Sequence, residues 1–427
     1  MDRLPPHNRD AERAILGAVL RDNSVLDDVS VGLRVEDFYV YAHTCIFGVM
    51  VVARQKGEPI DAVLLAERLK DRIEEIGGYG YLIELWEAAP AARDIRPLVE
   101  VVRGYAIRRA LINACGEISM RAWELGDTDQ LVEDAERSIF AVAQKDLRTE
   151  PSSNRAVVND ALEVLDRRIK QAASGEITGA APYGLADLDA ATAGLHNGEV
   201  TIIAARPGIG KTIFGCHLAD VASAAGVPVL FVSLEQSAVE LTLRLLAKHT
   251  RINAFKFRRG TITPIERPVI FEVVDELSRA PIWWDDTTSQ SIVRIGAQAR
   301  RMKSKHGIGL VIVDYLQLVA FHDKSMTQND GLGEISRGLK LMARDLNIPV
   351  VALAQLNRES ENRGGEPRLS DLRGSGNIEQ DADTVILMHP DGDSIKLLIR
   401  KNRNGPLCNV VIFHEKEYYR LTNALTP

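Results

Sequence analysis

The run Ala205-Arg206-Pro207-Gly208-Ile209-Gly210-Lys211-Thr212 could do chemistry on a polyphosphate. It follows the apolar run Val200 to Ala204 and precedes a helix-like stretch from Ile213 to Ala225. A strand, a Gly-rich turn and Lys-Thr opening a helix form a cradle of backbone N–H groups for phosphate oxygens. Lys211 is positioned to neutralise β/γ phosphates, and the Thr212 hydroxyl to ligate Mg²⁺. The usual pattern opens on Gly where this chain has Ala205. Alanine serves there as long as its φ stays negative.

Other residue types fit the same chemistry. Leu310-Val311-Ile312-Val313-Asp314 reads as a buried strand delivering a carboxylate to a sheet edge, which suits a Mg²⁺ ligand acting through water. Val229 to Leu234 is a second buried strand, followed by Glu235. A carboxylate there can polarise the water attacking a γ-phosphate, or it can cap the next helix; sequence alone leaves both open. Gln355, at the tip of a third strand, could sense the γ-phosphate. Lys401 and Arg403 lie two apart at the end of a further strand. Residues so spaced share a face, and a fixed pair of cations suits insertion into a neighbour's nucleotide site.

Basic and small residues suggest contact with a nucleic-acid backbone. Arg373, Gly374 and Gly376 form a Gly-rich stretch before a helix, able to bring N–H groups and charge to phosphates. Arg337 and Lys340 are three apart on a helix face and form a second candidate. Aromatic residues make up only 5% of the chain, so stacking platforms should not dominate binding. Trp283 and Trp284 read as core.

These residues must be held by a chain of 427 residues, long enough for two or more domains. No apolar run approaches the roughly 20 residues that span a bilayer, and the polar N-terminus carries no signal-peptide core. Cys45, Cys115, Cys216 and Cys408 are widely spaced, which fits reduced thiols and a cytoplasmic protein. The first 150 residues hold 19 basic and 27 acidic side chains, and the remainder 33 and 32. The net charge of −7 therefore sits in the N-terminal third and leaves room for an anion channel in the rest.

Residues 1–150 read as a helical domain, with a hairpin near 104–145 built on Leu111, Cys115, Ile118 and Ala122, then Leu131, Ala135, Ile139 and Val142. Residues 151–180 read as a linker carrying a lone helix at about 156–173. Its narrow stripe of Val158, Leu162, Leu165 and Ile169 must dock on its own motor or on a neighbour. Residues 181–427 alternate strand and helix. Strands are expected at 200–205, 229–234, 281–285, 310–314, 349–354, 384–388, 395–400 and 409–413, forming a largely parallel sheet with closing hairpins.

Together these motifs resemble the bacterial and phage replicative DNA helicases of the DnaB type. The resemblance runs through Pro5-Pro6-His7-Asn8, Asp37-Phe38-Tyr39, Ala205–Thr212, Ser233-Leu234-Glu235, Asp314-Tyr315-Leu316-Gln317-Leu318, Gln355–Arg358, Ile378–Asp383 and Lys401–Pro406. It implies a RecA-like α/β C-terminal motor with an all-α N-terminal collar, assembled as a homohexamer. It implies ATP and Mg²⁺ held by Lys211, Thr212 and Asp314, and water activation by Glu235. It implies γ-phosphate sensing by Gln355, and Arg403 with Lys401 reaching the adjacent subunit. The lone helix would dock on the neighbouring motor. Single-stranded or forked DNA would be traversed 5′ to 3′, with primase and a loader as partners. A recombinase or clock-type ATPase shares the phosphate loop without needing the helical third. Gly374 stands where the family often has Glu, and His389 to Ser394 is a shortened stretch.

Overall fold

Helical periodicity builds the first part of the chain and buried apolar strands build the second. The computed structural model describes residues 4–90, 94–124, 126, 128–145, 154–321, 326–357, 364–372 and 375–423. The chain divides into two units, Met1–Val158 and Asn159–Pro427.

The first unit is all helical: α1 (Arg9–Arg21), α2 (Val25–Gly32), α3 (Tyr41–Gln55), α4 (Ala62–Arg68), α5 (Gly78–Glu87), α6 (Arg96–Ala122) and α7 (Thr128–Lys145). Ile15, Leu16, Phe47, Met50, Leu65 and Leu82 fill its core. The Pro5–Asn8 and Asp37–Tyr39 motifs meet structurally. His7 stacks on Tyr39 at 4.0 Å, while Arg109 donates to the carbonyl of Pro6 at 2.9 Å. Asn8 caps α1 by accepting the Ala11 N–H at 3.0 Å. The α6/α7 hairpin forms as its spacing predicts, but two helices cannot cover both apolar faces. Leu111, Ile112, Met120 and Ile139 therefore stay exposed.

Helix α8 (Asn154–Ala173) follows and spans the division at residue 158. Val158, Leu162, Leu165 and Ile169 are each about half exposed, at 47, 54, 51 and 56%. Among the described residues, none covers its apolar stripe.

The second unit is a nine-stranded sheet in the order β3-β2-β4-β5-β1-β6-β7-β8-β9. The strands are β1 (Val200–Ala205), β2 (Val229–Ser233), β3 (Ile282–Asp285), β4 (Leu310–Asp314), β5 (Val350–Gln355), β6 (Thr384–Asp391), β7 (Ser394–Asn402), β8 (Asn409–Glu415) and β9 (Arg420–Asn423). From β3 to β6 all pairings are parallel; β7 to β9 close the sheet as an antiparallel meander. The expected strands are all present, and β9 is an additional one. The remaining helices among the described residues are α9 (Ala186–Thr192), α10 (Lys211–Ala224), α11 (Ala238–Thr250), α12 (Ala254–Arg259), α13 (Glu266–Arg279), α14 (Ile292–His306), α15 (Gln328–Leu346) and α16 (Ser375–Asp381).

Successive strand residues face opposite sides, so the sheet carries two cores. Ile202, Ala204, Leu230 and Val313 pack under α14, α15 and α16. Ile203, Ala205, Phe231, Ile312 and Leu353 pack under α10 and α11. Parallel pairing brings strand ends together at one edge: Ala205 pairs with Gln355, and Ser233 with Asp314. Ligands of open α/β sheets bind at this carboxyl edge.

Candidate active site

The turn after β1 builds the site. Gly208 and Gly210 have φ of +77° and +110°, a backbone that only glycine adopts without strain. Ala205 is a regular β1 residue, buried and paired with Gln355, outside the positive-φ set. Its alanine is compatible with the loop. Helix α10 starts at Lys211, so its unpaired N–H groups face the turn.

A cavity of about 260 Å³ opens there, lined by Ala205, Arg206, Pro207, Gly208, Gly210, Lys211, Thr212, Glu235, Gln355 and others. Ile209 lies outside this lining and packs against the core. Asp314 is fully buried just behind, with Oδ1 3.5 Å from Lys211 Nζ. At that separation the pair is an ion contact rather than a hydrogen bond. Neither Asp314 oxygen has a hydrogen-bond partner. Such a carboxylate is short of positive charge and donors. With the Thr212 hydroxyl at the start of α10, it fits the demands of a hydrated Mg²⁺. Burial pushes the Lys211 ammonium below the ordinary lysine range, opposed by Asp314 and Glu235. The same ammonium sits 3.5 Å from the centre of the Tyr315 ring, a cation–π contact.

Glu235 is exposed at the rim. The N-cap of α11 is Ser237, whose Oγ accepts from the Glu240 N–H at 3.3 Å. Glu235 is therefore not needed as a cap. Gln355 is fixed through its main chain: its N–H donates to Gln317 Oε1 at 3.1 Å, and Gln317 Nε2 donates to its carbonyl at 3.0 Å.

Two further lining residues come from outside the motifs and meet at the cavity mouth. Arg244 of α11 and Tyr419, in the turn between β8 and β9, face each other across the cavity mouth, guanidinium to ring centre 5.3 Å. A flat cation and a flat ring suit the face of a nucleobase.

Comparison with known proteins decides the family. The DnaB-like helicase C terminal domain matches residues 180–423, and the DnaB-like helicase N terminal domain matches residues 4–104. The chain belongs to the DnaB-like helicase family. The replicative DNA helicase DnaB of Geobacillus stearothermophilus is 37% identical, over 99% of this chain and 96% of that protein. The corresponding helicase of Haemophilus influenzae is 34% identical over 98% and 94%. A solved DnaB-like replicative helicase, described with its interactions with primase, superposes with a TM-score of 0.77 at 29% identity, covering 98% of this chain and all of that one. A second solved structure, an isolated ATPase domain, superposes with a TM-score of 0.60 at 33% identity, covering 65% of this chain and all of that one. This DnaB-like chain is an ATP-dependent DNA helicase with a RecA-like motor.

The helicase places its other expected residues unevenly. Arg403 lies past the end of β7, in a turn, with a side chain 65% exposed and Nη1 3.5 Å from Asp383 Oδ1. Lys401 does not project beside it, contrary to expectation. Its Nζ donates to the carbonyls of Glu379, Gln380 and Ala382 at the end of α16. Unpaired helix-end carbonyls draw in a nearby cation. Lys340 also departs from expectation: its Nζ binds Asp383 Oδ2 at 2.6 Å and the Gly198 carbonyl at 3.0 Å. It is an internal tie, and not a free cation for DNA. Arg337 and Gly376 are exposed on α15 and α16. Arg373 and Gly374 lie outside the described residues.

No helix among the described residues is long and apolar enough to cross a membrane.

Proposed function

We propose that the protein is the motor of a homohexameric ring that hydrolyses Mg²⁺-ATP at its subunit seams. It translocates 5′ to 3′ on single-stranded DNA and unwinds the duplex at a replication fork. One observation carries this reading. Arg403 is tied through Asp383 to Val200, at the starting end of β1. The phosphate loop leaves the other end, after Ala205. Five strand steps of ~3.3 Å put roughly 17 Å between them, beyond the reach of an arginine side chain. Arg403 thus cannot serve its own cavity, and it suits the cavity of the next copy. Contacts of this head-to-tail kind form a ring when the rotation between copies closes.

The uncovered stripe of α8 supports the same assembly, since docking on a neighbouring motor would bury it. On this reading the P-loop amides and Lys211 hold the β/γ phosphates, and Thr212 and Asp314 hold Mg²⁺. Mg²⁺ held there would supply charge neutralisation to the phosphate oxygens. Glu235 takes the proton of the attacking water. Gln355 hydrogen-bonds the γ-phosphate, and Arg403 of the neighbouring copy stabilises the charge that develops there. An in-trans arginine is worth about 10³–10⁵ in rate. Arg244 and Tyr419 stack the base.

DNA would run along the surface bearing Arg337, Arg373, Gly374 and Gly376, read through its phosphates without sequence preference. Primase and a loader are the expected protein partners, and the cytoplasm the expected compartment. A forked-DNA assay with each strand polarity tests the reading. Unwinding is expected only with a free 5′ tail and ATP. ATP-independent strand exchange, or no unwinding from a purified hexamer, would overturn it.

A further inference from the structure

Asp383 belongs to no part of the nucleotide cavity, yet it is among the most heavily bonded side chains of the motor. It is 3% exposed and lies two residues past the end of α16. Its Oδ2 accepts from the Val200 N–H at 2.8 Å and from Lys340 Nζ at 2.6 Å. Its Oδ1 faces Arg403 Nη1 at 3.5 Å, and its carbonyl accepts the Arg403 N–H at 2.9 Å. Arg403 is therefore held by Asp383 through both main chain and side chain.

The same short segment reaches in the other direction to the DNA-facing elements. Helix α16 begins directly after Arg373-Gly374 in the sequence. Its far end is fastened by Lys401, two residues before Arg403. It rides closely on α15, where a Cβ on Gly333 would come within 2.4 Å of Asn377 Nδ2. Ile378 is fully buried beneath it. Lys340 sits two helical turns along α15 from Gly333, on the same face. The two DNA-side helices and the Arg403 turn thus converge on one buried carboxylate. Only Ala382 separates the end of α16 from Asp383, so a shift of the helix has one residue in which to dissipate.

We infer that Asp383 is a positioning residue linking α16 to Arg403, so that strand engagement by one subunit sets the cation presented to the next subunit's nucleotide. This rests on Arg403 acting in trans. Arg403, 65% exposed, can be re-aimed about its 3.5 Å contact with Asp383, whereas Asp383 stays fixed by the Val200 N–H and Lys340. Loss of the carboxylate charge would leave the ring assembled and the P-loop untouched, but deaf to DNA.

The test uses the full-length hexamer, with ATP turnover measured with and without oligothymidylate, and oligothymidylate binding followed by anisotropy. Asp383→Asn keeps the main-chain bond to Arg403 and removes the charge. It is expected to leave DNA-free kcat, KM for ATP and oligonucleotide affinity within about twofold, and to lower DNA-stimulated kcat roughly tenfold or more. Adding it to Arg403→Ala should slow turnover no further, because residues acting as one unit are non-additive. Lys401→Met cuts the other arm of the link without touching the buried carboxylate. It should lower the ratio of stimulated to DNA-free turnover in the same way, and it decides the matter if Asp383→Asn does not assemble. Intact stimulation, an equal loss of both rates, or a parallel loss of oligonucleotide affinity would overturn the link. Wild-type turnover by Arg403→Ala alone would instead overturn the in-trans role on which it rests.

Discussion

Lys211 Nζ stands 3.5 Å from Asp314 Oδ1, and among the described residues it is the nearest positive charge to a buried carboxylate whose two oxygens have no donor. The lysine compensates Asp314 and, on the proposed reading, also offers charge to phosphate. Lys211→Ala should lower ATP turnover by at least ~10², the scale for losing one preorganised charge-stabilising group. It should also lower Tm, because breaking a buried pair strands the remaining charge. Asp314→Asn placed in the Lys211→Ala background should raise Tm again while turnover stays absent. A double variant less stable than Lys211→Ala would show that the pair does not matter to the fold.

Glu235 projects at the rim of the cavity without serving as the α11 cap. Glu235→Gln keeps its size and removes its basicity. General-base loss costs about 10²–10⁴ in rate, so kcat should fall by that factor, with nucleotide affinity held within about threefold. Helix content and hexamer formation should be unchanged, since no cap is lost. Single-turnover hydrolysis and nucleotide titration of the same preparation check this; near-normal kcat would remove Glu235 from the chemistry.

Arg244 and Tyr419 meet across the cavity mouth although 175 positions separate them in the chain. Stacking on an aromatic ring is worth about 1–3 kcal/mol per base. Tyr419→Ala should therefore raise KM for ATP roughly tenfold and leave kcat nearly unaltered, and Arg244→Ala should act in the same direction. Tyr419→Phe should behave as wild type, since it keeps the ring face. If inorganic tripolyphosphate competes with ATP equally well in wild type and Tyr419→Ala, the base is bound elsewhere.

The motor's outline was legible because its strands are continuous apolar runs bounded by Gly, Pro or charge, and because Asp314 and Gln355 end such runs. What sequence could not show is where distant partners meet. Lys340 and Lys401 read as projecting cations, yet Lys340 is claimed by Asp383, 43 positions away, and Lys401 by the carbonyls ending α16. Tyr419 gave no signal because its place depends on the short β8–β9 turn. Strand β9, four residues long, was too short to read. Arg403 was singled out by its motif, but that it lies at the opposite end of β1 from the phosphate loop needed the fold.

His217, on the helix that begins at Lys211, gives the motor a pH limit. Its Nε2–H donates to the Tyr183 carbonyl at 3.0 Å, and its Nδ1 lies 3.4 Å from Lys248 Nζ. Lys248 and His249 both bind Asp220, which fastens α10 to α11. Burial, then the Lys248 charge, pushes the His217 imidazole down to about 3 from 6.5. Asp220 is also depressed, to about 2: burial pulls it upward but His249 and Lys248 prevail; it stays ionised above pH 4. A depressed folded-state pKa contributes stability that is fully present above the unfolded value of 6.5 and is lost as pH falls towards 3. From pH 7 to pH 5 this histidine alone should remove about 2 kcal/mol, which lowers Tm by roughly 5 °C. His217→Gln keeps a donor for Tyr183 and cannot titrate, so it should lose that much of the slope. Thermal melts of both proteins at pH 7, 6 and 5 check this, and parallel Tm curves would show that His217 is not the group responsible.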